Sequence, residues 1–338
     1  MMKLKPLLAL LITAHLSPAF AADDPLSAWN DGHAKQAIEQ WVKETTSSNS
    51  KDFIPVSQRY VVFDNDGTLW PEAPLTFQLQ FVIDEIKRLA PQHPEWNNNA
   101  LVQAVINNDL NAVKQSGKKG LMQLMTLTHS GMTTEEFSQR VSNWVGSHQH
   151  VRFGCRYDQL GYQPMRQLLD YLRDNGFKTW IVSGGGIDFM RVLAEKMYGI
   201  PPEQVVGSFS LSEFSLTDNG TQLRKTMNGA FYDDEAMKPV AIHLFMGRRP
   251  VGAFGNSDGD VPMLQYTSAN PAYKTFGLLV HHTDAAREYA YDAHPPASGK
   301  LISGLRLAPQ KNWVIVDMKK EWKTVFDPAQ CAANQSDK

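Results

Sequence analysis

The chain has 338 residues, of which 42% are hydrophobic and 20% are charged, and its formal net charge is -2. This length exceeds one average domain, so we expect one core domain and one accessory domain, with enough apolar material for a sizeable core. The nearly balanced charge and the lack of a clustered Lys/Arg run argue against a nucleic-acid partner.

The first 21 residues have the pattern of a secretory signal peptide. Two lysines precede a short apolar stretch, Leu7–Leu16, and Ala19 and Ala21 supply the small residues typical of a cleavage site. The apolar stretch is about half of the roughly 20 residues that a membrane span needs. We therefore expect that residues 1–21 are removed, that the chain is exported to the periplasm or secreted, and that the mature chain has no membrane span.

Helix and strand patterns alternate along the expected mature chain. An amphipathic helix is predicted between Asp23 and Ser50, and the β-branched and aromatic run Arg59–Phe63 predicts a strand. Apolar residues then recur at helical spacing without a convincing strand, so residues 74–150 are predicted to form a helical cap insertion. The α/β core would comprise residues 22–73 and 151–338.

The segment after the insertion repeats strands and helices in an order typical of a parallel sheet. The predicted helices are Pro164–Asn175 and Ala236–Met246, and the predicted strands are Thr179–Ser183, Val205–Phe209, Val251–Phe254, Phe276–Val280 and Trp313–Asp317. A predicted hairpin turns at Asn219 and Gly220. The pattern indicates a Rossmann-like, doubly wound, mainly parallel sheet with helices on both faces and the last strand at an edge.

Two carboxylates stand where the first strand ends. Asp64 and Asp66 directly follow Arg59–Phe63, and open α/β sheets bind their ligands at such carboxyl ends. The pair would allow one carboxylate to attack and the other to transfer a proton. A carboxylate that attacks phosphorus needs a cation to offset repulsion from the anionic substrate, and hard oxygen ligands favour Mg²⁺.

Two further features accompany later elements. Ser183 with Gly184–Gly186 offers a hydroxyl and bare backbone amides at a helix start, where phosphate oxygens bind, although a glycine-rich turn is often only a turn. Lys238 lies near a helix start ahead of the next strand. Its cation could hold Asp64 and a phosphate together, whereas a lone lysine is normally a solvated surface charge.

An acidic turn comes directly after the strand Val251–Phe254. It runs Gly255-Asn256-Ser257-Asp258-Gly259-Asp260. Such a segment is often an ordinary Asx/Gly loop. Its position after a strand, and after the other three features, instead favours the remaining metal ligands.

The four features together resemble the motifs of the haloacid dehalogenase-like hydrolases. Phe63–Leu69 is similar to the first motif, Val182–Gly185 to the second, Lys238 to the third and the acidic turn to the fourth. The resemblance extends from about residue 55 to residue 290. The Ser-Gly-Gly form and the helical insertion after the first motif resemble the phosphoserine-phosphatase-like branch.

This resemblance implies a phosphatase that hydrolyses a small phosphomonoester through a phospho-aspartyl intermediate. By likeness to the family, Asp64 is the nucleophile, Asp66 the acid/base and Lys238 the charge clamp. Thr68 is a phosphate or orientation contact, and Ser183 and Gly184 bind phosphate. The implied cofactor is Mg²⁺, held by Asp64, Asp66, Asn256 and Asp258, with Asp260 supporting the lysine or a metal-bound water.

Two positions depart from the family pattern. Asn256 stands where the family has an aspartate metal ligand, and a neutral amide should hold Mg²⁺ less tightly unless Asp258 supplies the missing charge. Glu72 lies close to, but not at, the position of the substrate-reading glutamate of phosphoserine phosphatases. Phosphoserine specificity is therefore not transferred to this chain.

Two other functions stay open at this stage. A phosphotransferase would use the same intermediate with an alcohol in place of water, and a catalytically weak phospholigand-binding protein would keep the fold without turnover. The expected ligand is a small phosphorylated metabolite. Residues 74–150 would select it, but the sequence reveals neither its identity nor how it is selected. The oligomeric state is likewise open.

Two pairs of residues carry no chemistry in this interpretation. Cys155 and Cys331 either form a disulfide, as export would allow, or stay as free thiols, and neither has metal-ligand spacing. His281 and His282 follow a predicted strand and could line the mouth of the site, but adjacent histidines at such a position are more often surface polar groups.

Overall fold

A computed structural model describes residues 24–218, 220–296 and 298–331 of the chain. The predicted signal segment, residues 1–21, lies outside these ranges, and so does Asn219 of the predicted hairpin turn. The described chain contains a parallel sheet, helices on both faces of it, a helical insertion and a separate hairpin.

The strands form one large sheet and one small sheet. They are β1 Tyr60–Phe63, β2 Lys178–Gly186, β3 Val205–Ser208, β4 Ser212–Thr217, β5 Gly220–Lys225, β6 Gly252–Gly255, β7 Phe276–His281 and β8 Val314–Asp317. The large sheet has the order β3-β2-β1-β6-β7-β8, and its neighbouring strands are parallel. The predicted parallel sheet is confirmed, with the late strand β8 at an edge.

Helices connect these strands and form the insertion. They are α1 His33–Thr46, α2 Phe77–Leu89, α3 Ala100–Ile106, α4 Leu110–Gln115, α5 Gly117–His129, α6 Thr134–Ser147, α7 Gln163–Asp174, α8 Ile187–Tyr198, α9 Met237–Ala241, α10 Val261–Ser268, α11 Ser303–Lys311 and α12 Met318–Glu321. Helices α2 to α6 lie between β1 and β2 in the chain, so the predicted helical insertion is present. A π-helical turn, Ile242–Met246, extends α9.

Alternate side chains of the central strands enter two different cores. Val61 and Phe63 of β1 belong to the same apolar cluster as Trp41 of α1. Val62 belongs to a second cluster with Leu264 of α10. Successive strand side chains point to opposite faces, so a sheet buried on both faces needs helices on each side. The two clusters account for the doubly wound arrangement.

The hairpin of β4 and β5 contacts the helical insertion. Gly131 N donates a hydrogen bond to Lys225 O at 2.9 Å, and Lys225 N donates one to Met132 O at 2.8 Å. The sequence predicted the hairpin as part of the core segment and did not predict this contact. The cap side of the molecule is therefore built from two separate stretches of chain.

The C-terminal segment is tied to the body by a disulfide between Cys155 and Cys331, which are 176 residues apart. Of the two states that the sequence left open, the structure contains the bonded one. No helix within the described residues is long and apolar enough to cross a membrane.

Candidate active site

The predicted site residues converge at the carboxyl ends of three neighbouring strands. Asp64 and Asp66 follow β1, Ser183 and Gly184 lie near the end of β2, and the acidic turn 255–260 follows β6. The winding of the sheet reverses at β1, because β2 lies on one side of it and β6 on the other. Ligands of open α/β sheets bind at this kind of switch point.

Lys238 lies between two buried carboxylates. Its Nζ donates hydrogen bonds to Asp64 Oδ1 at 2.7 Å and to Asp260 Oδ1 at 2.5 Å. Burial lowers the pKa of Lys238, but Asp260 and Asp64 outweigh this effect, so its pKa lies above the usual value and the side chain stays charged. Burial raises the pKa of Asp64 well above its usual value, against the opposing effect of Lys238.

Asp66 is held in place by two neighbours. Its Oδ1 accepts a hydrogen bond from Trp70 Nε1 at 2.6 Å. Its Oδ2 lies close to Gly185, where an added Cβ would approach within 3.3 Å. Burial raises the pKa of Asp66 to about 6, although Trp70 and Lys238 oppose the rise. A carboxyl group with this pKa can both give and take a proton near neutral pH, as acid/base catalysis requires.

The glycine segment after Ser183 is connected directly to the insertion. Gly185 N donates a hydrogen bond to Ser183 Oγ at 3.3 Å, and Gly186 N donates one to Gln78 Oε1 at 2.7 Å. Gln78 belongs to α2, so the insertion fixes the end of β2. The sequence predicted a turn directly after Ser183, whereas strand pairing continues to Gly186 through a register shift.

Asn256 connects the nucleophile loop to Glu72, to which the sequence assigned no role. Asn256 Oδ1 accepts a hydrogen bond from Thr68 Oγ1 at 3.0 Å, and its Nδ2 donates one to Glu72 Oε1 at 2.6 Å. Tyr291 donates a second hydrogen bond to that Glu72 oxygen at 2.8 Å. Burial raises the pKa of Glu72 to about 7. Thr68 is fully buried and engaged with Asn256, which favours an orientation contact over a phosphate contact.

Asp258 points to a different part of the molecule. Its Oδ1 accepts hydrogen bonds from the backbone N–H groups of Ile302 at 3.0 Å and Gly304 at 2.9 Å. Asp258 is not among the described residues that line the cavity, and neither are Asn256 and Asp260. The sequence predicted Asp258 as a metal ligand because it lies in the acidic turn. The observed contacts do not support that role, because they place the carboxylate at the start of α11.

Asp260 contacts both Lys238 and the backbone of the acidic turn. Besides the bond from Lys238, its Oδ2 accepts hydrogen bonds from Asn256 N at 2.9 Å and Ser257 N at 3.0 Å. Asp260 is fully buried. It therefore fixes the shape of the acidic turn and the position of Lys238 together.

His282 is buried beneath the nucleophile loop, so its prediction as a surface residue is wrong. Its Nε2 lies 2.8 Å from Gly67 O and its Nδ1 lies 3.0 Å from Glu288 Oε2. Two adjacent histidines after a strand gave no signal for this, because the buried acidic partner comes from a separate turn. His282 supports the backbone that carries Asp64 and Asp66.

A cavity of about 350 Å³ opens above these residues. Its floor is formed by Asp64, Asp66, Ser183, Gly184 and Lys238. Its walls come from the insertion helices and from the chain between residues 208 and 234, including Leu79, Met122, Met125, Phe209, Met227 and Phe231. The sequence did not identify these wall residues, because apolar side chains at helical spacing are typical of any core.

A model of the family described as haloacid dehalogenase-like hydrolase matches residues 61–265. The solved structure of a conserved, functionally unknown protein from Anaerococcus prevotii is similar in fold, with 15% identity, coverage of 82% of this chain and 89% of that chain, and a TM-score of 0.52.

Other solved structures match with lower TM-scores. A phosphoserine phosphohydrolase-like protein from Francisella tularensis has 17% identity over 66% of this chain and 87% of that chain, with a TM-score of 0.38. A probable phosphoserine phosphatase from Vibrio cholerae has 16% identity over 82% and 72%, with a TM-score of 0.36. At such identities likeness concerns the fold alone. No curated protein matches the sequence.

Proposed function

The chain belongs to the haloacid dehalogenase-like hydrolase family, and on this premise we propose that it is a phosphatase acting on a small phosphomonoester through a phospho-aspartyl intermediate on Asp64. The contact between Asp64 and Lys238 at the cavity floor carries the proposal. A lysine fixed beside a carboxylate nucleophile offsets the negative charge of an incoming phosphate.

The proposed reaction has two steps. In the first, an Asp64 oxygen attacks phosphorus, the bond from phosphorus to the leaving oxygen breaks, and Asp66 gives its proton to that oxygen. In the second, Asp66 takes a proton from a water molecule whose oxygen attacks phosphorus, and release of phosphate restores the Asp64 carboxylate. Ser183 and the Gly184 amide would bind the phosphate oxygens that do not react.

The charges at the floor suit a divalent cation such as Mg²⁺. Asp64 and Asp66 lie at the floor, and the buried Asp260 contacts Lys238, so three carboxyl groups stand near one ammonium group. No group of three or more His, Cys, Asp and Glu within the described ranges forms a ready ligand set. By the resemblance to the family, the ion would be held by Asp64 together with the Asp66 carbonyl and the Asn256 amide oxygen. When bound, it would neutralise charge on the transferring phosphate.

Replacing the nucleophile tests the proposal. Asp64→Asn should abolish hydrolysis of p-nitrophenyl phosphate, because an amide cannot form the acyl phosphate, while thermal unfolding reports whether the variant is folded. Asp258→Asn is the matched control, since it removes a carboxylate from the neighbouring turn and should keep the activity. Hydrolysis at the parent rate by Asp64→Asn would overturn the mechanism, and full activity after exhaustive chelation would overturn the need for Mg²⁺.

A further inference from the structure

The wall of the cavity differs in chemistry from its floor. Above the floor, methionine and aromatic side chains dominate, with Met125 from α5, Met227 after β5, and Phe209 and Phe231 on either side of the hairpin. The Phe209 and Phe231 rings are stacked with centroids 5.2 Å apart. Methionine adapts its shape to apolar and aromatic groups, so this wall can accept an apolar ligand.

Two charged groups of the wall are paired with each other. Lys225 Nζ forms an ion pair with Asp188 Oδ2, and the same ammonium lies 4.8 Å from the centroid of the Phe137 ring. The face of the Phe137 ring, which could otherwise hold a ligand cation, is thus taken by Lys225. Burial lowers the pKa of His129 to about 3, so this wall residue is neutral. Asp234 and Glu72 also line the cavity, and both have partners. Asp234 Oδ1 accepts a hydrogen bond from Glu235 N at 3.0 Å, and Glu72 accepts from Asn256 and Tyr291. Among these described wall residues, a zwitterionic ligand would have to compete with existing partners for the charges that could replace its lost hydration.

The size of the cavity limits the ligand further. Its volume of about 350 Å³ is more than twice the roughly 150 Å³ that holds benzene in an engineered protein cavity. A phosphate at the floor therefore leaves room for a group of about the size of an aromatic ring. An alcohol as small as ethanolamine or serine would leave much of the apolar wall uncovered.

We propose that the substrate is a phosphomonoester whose alcohol portion is uncharged and largely apolar, of about the size of a phenylalkyl group. The proposal rests on the proposed phosphatase function and names the substrate class of the same site. The apolar wall excludes charged head groups through the cost of desolvating them, and it binds the apolar alcohol by the hydrophobic effect.

Two synthetic substrates with the same two-carbon chain test this proposal on the purified protein. 2-Phenylethyl phosphate ends in a phenyl ring, and phosphoethanolamine ends in an ammonium group. We expect kcat/KM to be at least about tenfold higher for 2-phenylethyl phosphate, because only the phenyl ring gains from burial against the wall. p-Nitrophenyl phosphate is measured in parallel as a general test of phosphatase activity.

Charged variants of the wall test the same proposal from two different elements. Met125→Glu and Met227→Glu should each lower kcat/KM for 2-phenylethyl phosphate by about tenfold, mainly through a higher KM. The ratio of kcat/KM for 2-phenylethyl phosphate to kcat/KM for phosphoethanolamine should fall as well. Leu216→Gln is the control, because Leu216 lies on β4 with 77% of its surface exposed. This control should leave unchanged both kcat/KM for 2-phenylethyl phosphate and its ratio to kcat/KM for phosphoethanolamine.

The outcomes separate this proposal from the proposed function. If wild type hydrolyses p-nitrophenyl phosphate but prefers phosphoethanolamine, or treats the two substrates equally, the apolar substrate class is overturned and the phosphatase stands. The same holds if both methionine variants are folded and keep the parental ratio. If wild type with Mg²⁺ hydrolyses none of the three substrates, the proposed function is overturned and this inference falls with it.

Discussion

Asn256 stands where the family pattern has an aspartate. Its neighbours explain why an amide suits this position better than a carboxylate. Its Nδ2 donates to Glu72 Oε1 at 2.6 Å, and both side chains are buried. Gly67 lies against the same pair, with a φ of +78°, and an added Cβ would come within 2.1 Å of Asn256 Nδ2. An aspartate at 256 would place a second carboxylate beside Glu72 in a site without room to separate them.

Asn256→Asp should therefore destabilise the metal-free protein. Loss of the buried donor and repulsion from Glu72 should lower the free energy of unfolding by about 2–4 kcal/mol in the presence of a chelator. Mg²⁺ should stabilise this variant more than it stabilises wild type, because a cation offsets the added charge. Thermal unfolding with and without Mg²⁺ measures both effects independently of activity.

Asp258→Asn serves as the control for this experiment. Its carboxylate bonds to the backbone at the start of α11, so the substitution should leave the response to Mg²⁺ as in wild type. If Mg²⁺ stabilised Asp258→Asn less than it stabilises wild type, Asp258 would be a ligand of the ion. An Asn256→Asp variant as stable as wild type in chelator would contradict the explanation based on Glu72.

At the residue scale, strand ends were predictable and loop contacts were not. Asp64, Asp66 and Ser183 were identified because strands that pair in parallel bring their carboxyl ends together. The direction of a loop side chain depends on what packs against it, and sequence spacing does not contain that information. The contacts of Asp258 and the burial of His282 were not predicted for this reason.

Among the elements, those with strong local patterns were predicted well. Strand β1 and helix α7 lie within a few residues of their predicted bounds, since β-branched runs and apolar periodicity are local signals. The contact between β5 and the insertion is a pairing of Lys225 with residues near 131, more than 90 positions away. Long-range pairing of this kind leaves no local pattern. The cavity wall formed by residues 208–234 was therefore not predicted.

Helix α5 contributes a buried histidine that makes stability depend on pH. Burial and, secondly, Lys225 lower the pKa of His129 from 6.5 to about 3. Between these values the unfolded chain binds a proton that the folded chain does not, so the free energy of unfolding falls as the pH falls below 6.5. Between pH 7 and pH 5 this one group should lower the free energy of unfolding by about 2 kcal/mol.

The substitution His129→Gln removes this titration. Between pH 7 and pH 5 the free energy of unfolding should therefore fall by about 2 kcal/mol less in the variant than in wild type. Urea unfolding at pH 7 and pH 5 measures the difference. Burial raises the pKa of Asp66 and Glu72, and their effect on stability has the opposite sign, but it is common to both proteins and cancels in the comparison. Equal losses in the two proteins would mean that His129 is not kept neutral by the fold.

For the whole molecule, the alternation of strands and helices was enough to predict the doubly wound sheet, because each parallel pair requires a crossover. The pairing of two cysteines 176 residues apart was not decidable, since no spacing rule applies at that distance. We propose export from the pattern of residues 1–21, and a disulfide is a cross-link that exported proteins retain.

The disulfide should stabilise the protein by restricting the unfolded chain. Cross-linking residues 176 positions apart removes loop-closure entropy worth up to about 5 kcal/mol, and measured effects are commonly about 2–4 kcal/mol. The double variant Cys155→Ala/Cys331→Ala should lose this amount in urea unfolding, while Phe326 still packs against Phe153 with ring centroids 4.8 Å apart. A reducing agent should lower the stability of wild type to that of the variant and leave the variant unchanged. If oxidised wild type and the variant unfold at the same urea concentration, the bond contributes nothing to folding, and apolar packing alone must hold the C-terminal segment.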